Sequence, residues 1–73
     1  ERIMDRYITT IWYRNNDGRK VQSSFSTYGR QGNVDAVTAV DHDIKTAGAT
    51  HGKVERVLDA GGTKLVYERR SES

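Results

Sequence analysis

The feature that most constrains this chain is a pair of strand-like segments joined by a tight turn. The segment from Arg6 to Arg14 (RYITTIWYR) is dense in β-branched and aromatic residues, which favour extended backbone. From about Arg19 to Tyr28, apolar and polar residues alternate, so one face of that segment is apolar. Between them, Asp17-Gly18 tolerates the positive φ angles of a hairpin turn. These segments predict an antiparallel β-hairpin.

The first strand carries large side chains on both faces. Tyr7, Ile11 and Tyr13 fall on one face, and Ile8 and Trp12 fall on the other. We therefore expect a central or doubly covered strand. Which of its faces meets the rest of the core is left open, and that choice decides whether Trp12 is buried or available to a partner.

One helix is predicted from about Val34 to Ala47. Asn33 is a plausible N-cap, Gly48 is placed to end the helix, and the preceding Gly29–Gly32 segment is expected to be a mobile loop. The expected apolar stripe consists of Val34, Val37, Val40, Ile44 and Ala47.

Two further strands, Lys53 to Asp59 and Lys64 to Arg70, flank a glycine-containing turn. The order β-β-α-β-β predicts an α+β fold, a four-stranded antiparallel sheet of two hairpins with one helix packed on one face. The chain is expected to form a single domain over residues 1–73, with residues 1–5 and 71–73 frayed. The helix stripe is expected to bury against four strand residues, Phe25, Val21, Val54 and Leu65.

The amino-acid composition narrows the possible classes of protein. The chain has 73 residues, no cysteine and no long apolar run, so disulfides, thiolate metal sites and a membrane span are not expected. The lack of disulfides favours a cytoplasmic protein. A domain this small buries a modest core, so a homodimer remains an alternative.

No catalytic set is apparent, and neither an enzyme nor a cofactor is expected. In Asp41-His42-Asp43, neighbouring helical residues point about 100° apart, so the trio predicts a solvated helix face and no metal site. His51 is interpreted as a loop residue with a structural or surface role. The Gly29–Gly32 segment lacks the lysine and hydroxyl of a phosphate loop, although binding of a backbone phosphate there stays open.

Basic residues interleaved with aromatics are the remaining functional feature. The chain has twelve Lys and Arg residues and ten Asp and Glu residues, and the predicted helix is acidic. Basic residues therefore concentrate on the predicted strands and turns. Such residues serve partner binding in some sheets and only keep strand edges soluble in others. The predicted partner-binding residues are Arg14, Arg19, Lys20, Arg30 and Arg56.

Residues 51–68 (HGKVERVLDAGGTKLVYE) resemble a family of very small phage-encoded anti-CRISPR proteins that act on type I-F surveillance complexes. The matching positions are His51, Gly52, Val54, Arg56, Val57, Gly62, Leu65 and Tyr67, and Tyr7-Ile8 resembles the family's first strand. The resemblance implies a sheet-and-helix protein that binds the backbone subunits of the complex and blocks hybridisation of target DNA. The family uses basic residues along its helix, where this chain has Asp41, His42 and Thr46.

The leading hypothesis is therefore a phage or mobile-element accessory protein that inhibits a host protein complex by surface binding in the bacterial cytoplasm. The alternative is a sheet-based nucleic-acid-binding module, such as the DNA-binding domain of a phage or mobile element. A structural or regulatory homo-oligomer is a second alternative.

Overall fold

A computed structural model describes residues 5–71 of the chain. Four antiparallel strands form one open sheet in the order β2-β1-β3-β4, and a single helix lies across one side of it. The elements are β1 (Arg6–Arg14), β2 (Lys20–Tyr28), α1 (Gly29–Thr46), β3 (Ala49–Val57) and β4 (Thr63–Arg70). The predicted α+β class and β-β-α-β-β order are confirmed, and β1 is central, between β2 and β3.

The helix begins five residues earlier than predicted. Gly29, at φ +75°, turns the chain directly from β2 into the helix, and Tyr28 occupies the N-cap position with no side-chain cap. The Gly29–Gly32 segment, predicted as a mobile loop, is thus the first helical turn. The hydroxyl of Thr27 donates to the Gly32 carbonyl at 2.8 Å and ties this turn to β2. Asn33 lies inside the helix and does not cap it.

The predicted apolar stripe of α1 is confirmed in part, because Val40 is buried in the core and Val37 and Ile44 pack against it. Gly32, Ala36 and Val40 are spaced by four and are buried. In contrast, the side chain of Val34 is 55% exposed, and Ala47 lies beyond the helix and is exposed. The small size of Gly32 and Ala36 allows the helix to lie close to the sheet.

The core lies between α1 and the two central strands. It consists of Tyr7, Ile11, Ala36, Val40, Ala49 and Val54, with Tyr13, Val37, Ile44 and Tyr67 packed around it. Of the four predicted partners of the helix, only Val54 is buried. Val21 and Phe25 are on the helix side of edge strand β2 and are exposed. Leu65 is exposed because a register shift in β4 pairs it with Glu55 on the side away from the helix.

The third strand starts at Ala49, four residues before its predicted start, and so includes His51 and Gly52. Gly52 lies beneath the helix, where a Cβ atom would stand 2.6 Å from Cγ1 of Val40. Its glycine identity reflects this close approach and not the loop to which the sequence interpretation assigned it.

The ends of the described range are tied to the sheet. The amide of Gly29 donates to the Asp5 carbonyl at 2.8 Å, and the amide of Ser71 donates to the Thr50 carbonyl at 2.9 Å. The expected fraying of the termini stays a prediction. Residues 1–4 and 72–73 lie outside the described residues.

Candidate functional site

The side of the sheet opposite α1 carries no covering element within residues 5–71, and we call it the open face. Side chains alternate between the two faces along each strand, and the strand registers assign them. On β1 and β2 the open face holds Arg6, Ile8, Thr10, Trp12, Arg14, Lys20, Gln22, Ser24, Ser26 and Tyr28. On β3 it holds His51, Lys53, Glu55 and Val57, and β4 adds Thr63, Leu65, Glu68 and Arg70.

At the centre of the open face, Trp12 stacks on His51. These residues are directly opposite one another on β1 and β3, with ring centroids 4.6 Å apart and ring planes inclined by 12°. The carboxylate of Glu68 lies 2.6 Å from Nε2 of His51 and fixes the orientation of the imidazole. The pair therefore forms an oriented aromatic stack, called the platform below, in which one face of each ring covers the other and the His51 side chain is 17% exposed.

Lys53 adds a positive charge beside this platform. Its Nζ lies 5.8 Å from the centroid of the Trp12 ring, within the range of a cation–π interaction. The same Nζ is 3.6 Å from a carboxylate oxygen of Glu55. Lys53 is thus held by neighbours on both sides, in the orientation that brings its charge to the indole.

The open face is positively charged. Its basic residues are Arg6, Arg14, Lys20, Lys53 and Arg70, and its acidic residues are Glu55 and Glu68. Both acidic residues already contact a histidine or a lysine on the same face. Arg14 and Lys20, both exposed, lie toward the same end of the sheet as Trp12 and form a cationic rim with Arg70, whose guanidinium is 3.9 Å from Glu68.

The structure brings together three of the five residues predicted to bind a partner. Arg14 and Lys20 pair across β1 and β2, and Arg19 is next to them in the turn. Arg30, in the first turn of α1, and Arg56, which pairs with Tyr7 on the helix side, are near the opposite end of the sheet. Since β1 spans nine residues at about 3.3 Å each, the two groups are separated by roughly 25 Å.

Two carboxylates of the helix point toward the sheet, contrary to the predicted solvated face. Asp41 accepts hydrogen bonds from the Tyr67 hydroxyl at 2.6 Å and from Nη1 of Arg69 at 2.9 Å. Asp43 accepts a hydrogen bond from the hydroxyl of Tyr13. Of the trio, only His42 is a surface residue, with 68% of its side chain exposed. Asp41 and Asp43 fasten α1 to β4 and β1.

These bonds shift the pKa values of the groups involved. Hydrogen bonds from Tyr67 and Arg69 hold the pKa of Asp41 below its ordinary value, and the bond to Asp41 raises the pKa of Tyr67. Burial, together with the hydrogen bond to Asp43, raises the pKa of Tyr13 to about 12. Each shift favours the protonation state that holds helix and sheet together near neutral pH.

The helix does not supply the basic surface that the resemblance implies. Asp41 is engaged with β4, while His42 and Thr46 form an exposed pair in which Oγ1 of Thr46 donates to the His42 carbonyl at 2.7 Å. The exposed basic residues of α1 are Arg30 and Lys45, at its two ends. The concentration of positive charge is on the other side of the molecule.

The platform was missed by sequence reasoning because His51 was placed in a loop. The available signal was Gly48, because a glycine at that position ends the helix and permits a strand to start immediately after it, which places Thr50 and His51 in that strand. Within residues 5–71 no group of three His, Cys, Asp or Glu side chains has an arrangement that could hold a metal ion.

The chain matches no protein-family model, no curated protein and no solved structure at a significant level. Over the described part of the chain, no helix is both long enough and apolar enough to cross a membrane.

Proposed function

We propose that this protein acts by binding and not by catalysis, and that the open face is its binding surface. The observation that carries this proposal is the Trp12–His51 platform beside the cationic rim. No element within residues 5–71 covers this side of the sheet.

The partner that fits this surface best is a single strand of nucleic acid. Proteins that bind single strands place aromatic rings against bases and basic side chains against the phosphates. Here Trp12 supplies an aromatic ring for stacking, and Arg14, Lys20 and Arg70 supply cations on one side of it. A double helix offers no free base to stack, so we expect single-stranded DNA or RNA to bind more tightly than duplex.

The test is a titration of a labelled single-stranded oligonucleotide, followed by fluorescence anisotropy at several salt concentrations. Trp12 is the only tryptophan of the chain, so quenching of its emission reports stacking directly. For single strands, the logarithm of the binding constant falls by about 0.7 per logarithm of salt for each phosphate neutralised. The double variant Arg14→Gln/Lys20→Gln should therefore reduce that slope by about 1.4.

The matched control is Arg56→Gln, which removes one positive charge from the helix side of the sheet. We expect it to leave the tryptophan quenching and nearly all of the salt slope unchanged. Absence of binding up to about 100 µM protein, the weak end of non-specific association, would refute this function.

A second candidate is an anti-CRISPR-like inhibitor, encoded by a phage or mobile element, that acts on a host surveillance complex in the bacterial cytoplasm. The observation that favours it is the resemblance of residues 51–68, carried on a β-β-α-β-β fold. Because the helix lacks the family's basic residues, contact with the complex would go through Arg14, Arg19 and Lys20 at the first hairpin.

This candidate is tested with a purified type I-F surveillance complex and its target DNA in a gel-shift assay. An inhibitor prevents target binding when it is mixed with the complex first, and it co-elutes with the complex after nuclease treatment. Inhibition that disappears when excess unrelated DNA is added would indicate nucleic-acid binding instead. Failure to co-elute with the complex would eliminate the inhibitor.

A further inference from the structure

The two edges of the sheet differ in how well they are protected. Strand β4 carries four charged residues and a register shift opposite Val54 and Glu55, which discourage pairing with another strand. Strand β2 has nine residues in unbroken register with β1, no proline, and Lys20 as its one charged residue. All of its side chains except Thr27 are exposed. Such an edge is a template for a further strand.

The backbone groups of β2 that point away from β1 can be assigned. The amide of Asn15 donates to the Arg19 carbonyl and the amide of Gly29 donates to the Asp5 carbonyl, at the two ends of the β1–β2 ladder. Both pairs fit the ladder register, so odd-numbered residues of β2 bond to β1. The N–H and C=O groups of the even-numbered residues 20–28 therefore face outward.

The side chains of β2 are complementary to those of a second, antiparallel copy. Val21 and Phe25 lie on the helix side of the sheet with exposures of 45% and 36%. A two-fold axis through Ser23, perpendicular to the sheet, places Val21 of each copy opposite Phe25 of the other. It also places Lys20 opposite Ser26, so no like charges oppose each other.

We propose that β2 pairs with β2 of a second copy of this chain, centred on Ser23. The contact is isologous, as two-fold symmetry requires, and it covers the exposed Val21 and Phe25 side chains while satisfying the outward backbone groups. The result is one eight-stranded sheet with both helices on one side and both open faces on the other. The inference follows from the edge of the sheet and goes beyond the proposed function, since no nucleic acid enters it.

The test combines a mass measurement with single-cysteine cross-linking. Sedimentation equilibrium of the unaltered chain should show twice the monomer mass of 8.2 kDa as concentration rises. The chain has no cysteine, so Ser23→Cys introduces a single thiol. Odd-numbered residues form the non-hydrogen-bonded pairs of the new ladder, whose Cα atoms are about 4.5 Å apart, within disulfide range. Mild oxidation should convert this variant to a covalent dimer.

Two further cysteine variants serve as controls. Ser24→Cys lies on the other face of the same strand and should cross-link far less, and Thr38→Cys on the exposed side of α1 should remain monomeric. Preferential cross-linking through Ser24→Cys would overturn the Ser23-centred register, and a dimer in which neither β2 variant cross-links would overturn the interface. A monomer mass up to millimolar concentration would refute self-pairing and leave the edge to a strand from another protein. Each outcome is read from mass alone, so it is distinguishable from failure of nucleic-acid binding.

Discussion

Replacing Gly52 by alanine tests how closely the helix lies on the sheet. The added Cβ atom would lie 2.6 Å from Cγ1 and 3.1 Å from Cγ2 of Val40, a residue with no exposed surface. Because both γ-carbons are in the way, and valine in a helix strongly prefers one χ1 rotamer, side-chain rotation does not relieve the clash. The backbone of α1 or β3 has to move.

The expected cost follows from the packing. Overfilling a packed core by one methyl group costs about 1–3 kcal/mol, against a total stability of about 4–11 kcal/mol for a chain of this length. Gly52 is not among the glycines with positive φ, so alanine introduces no backbone strain that would obscure the clash. We expect Gly52→Ala to lower the urea midpoint without changing the denaturant slope.

A double-mutant cycle isolates the contact. Val40→Ala alone should destabilise the domain by about 2 kcal/mol, since it removes two buried methyl groups. In that background only the Cβ atom of residue 40 stays near the added methyl group, at 3.3 Å, so Gly52→Ala should cost much less than in the unaltered chain. Equal costs of Gly52→Ala in the two backgrounds would show that Val40 is not the obstacle and that the helix does not lie where described.

Two other perturbations address polar groups in the core. The hydroxyl of Thr9 is buried without a hydrogen-bond partner among the described residues, so Thr9→Val should stabilise the domain by about 1 kcal/mol. Thr10→Val removes the acceptor of a hydrogen bond from Ser24 and should not stabilise the domain. Thermal unfolding would show a rise of several degrees for Thr9→Val only. Tyr13 has a pKa raised from 10.0 to about 12, so its stabilising contribution is complete below pH 10 and is lost as pH rises from 10 to 12. Urea titrations between pH 9 and 12 should show that loss, and Tyr13→Phe should reduce it.

The sequence predicted the strands better than the helix because their signals are local. The β-branched and aromatic run of β1 has the bounds expected for it, Arg6–Arg14, and the Asp-Gly turn joins it to β2 as expected. The predicted start of the helix was wrong, and two of the five residues in its predicted apolar stripe, Val34 and Ala47, are exposed. Its inward row includes Gly32 and Ala36, and a search for apolar side chains at helical spacing overlooks residues selected for small size.

The candidate site was only partly predictable for a different reason. Arg14, Arg19 and Lys20 are neighbours across one hairpin turn, so local pattern placed them together. The stack of Trp12 on His51 joins residues 39 positions apart and depends on the pairing of β1 with β3, which no turn specifies. Which face of β1 the helix covers is likewise set by tertiary packing.

The expected effect of substituting Asp43 changes once the tertiary packing of the helix on the sheet is known. From the helical pattern alone, Asp43→Lys would be expected to be tolerated as a substitution on a solvent face. In the structure, Asp43 accepts the hydrogen bond of Tyr13 and its side chain is 26% exposed, so lysine removes an anionic acceptor from a partly buried hydroxyl. Hydrogen bonds to charged groups contribute about 1.5–3 kcal/mol, and we expect a loss of about 1–3 kcal/mol in urea unfolding. The control is His42→Lys at the preceding position, where 68% of the side chain is exposed and the change should stay within about 0.5 kcal/mol. Equal stabilities of the two variants would mean that Asp43 does not hold the helix to the sheet.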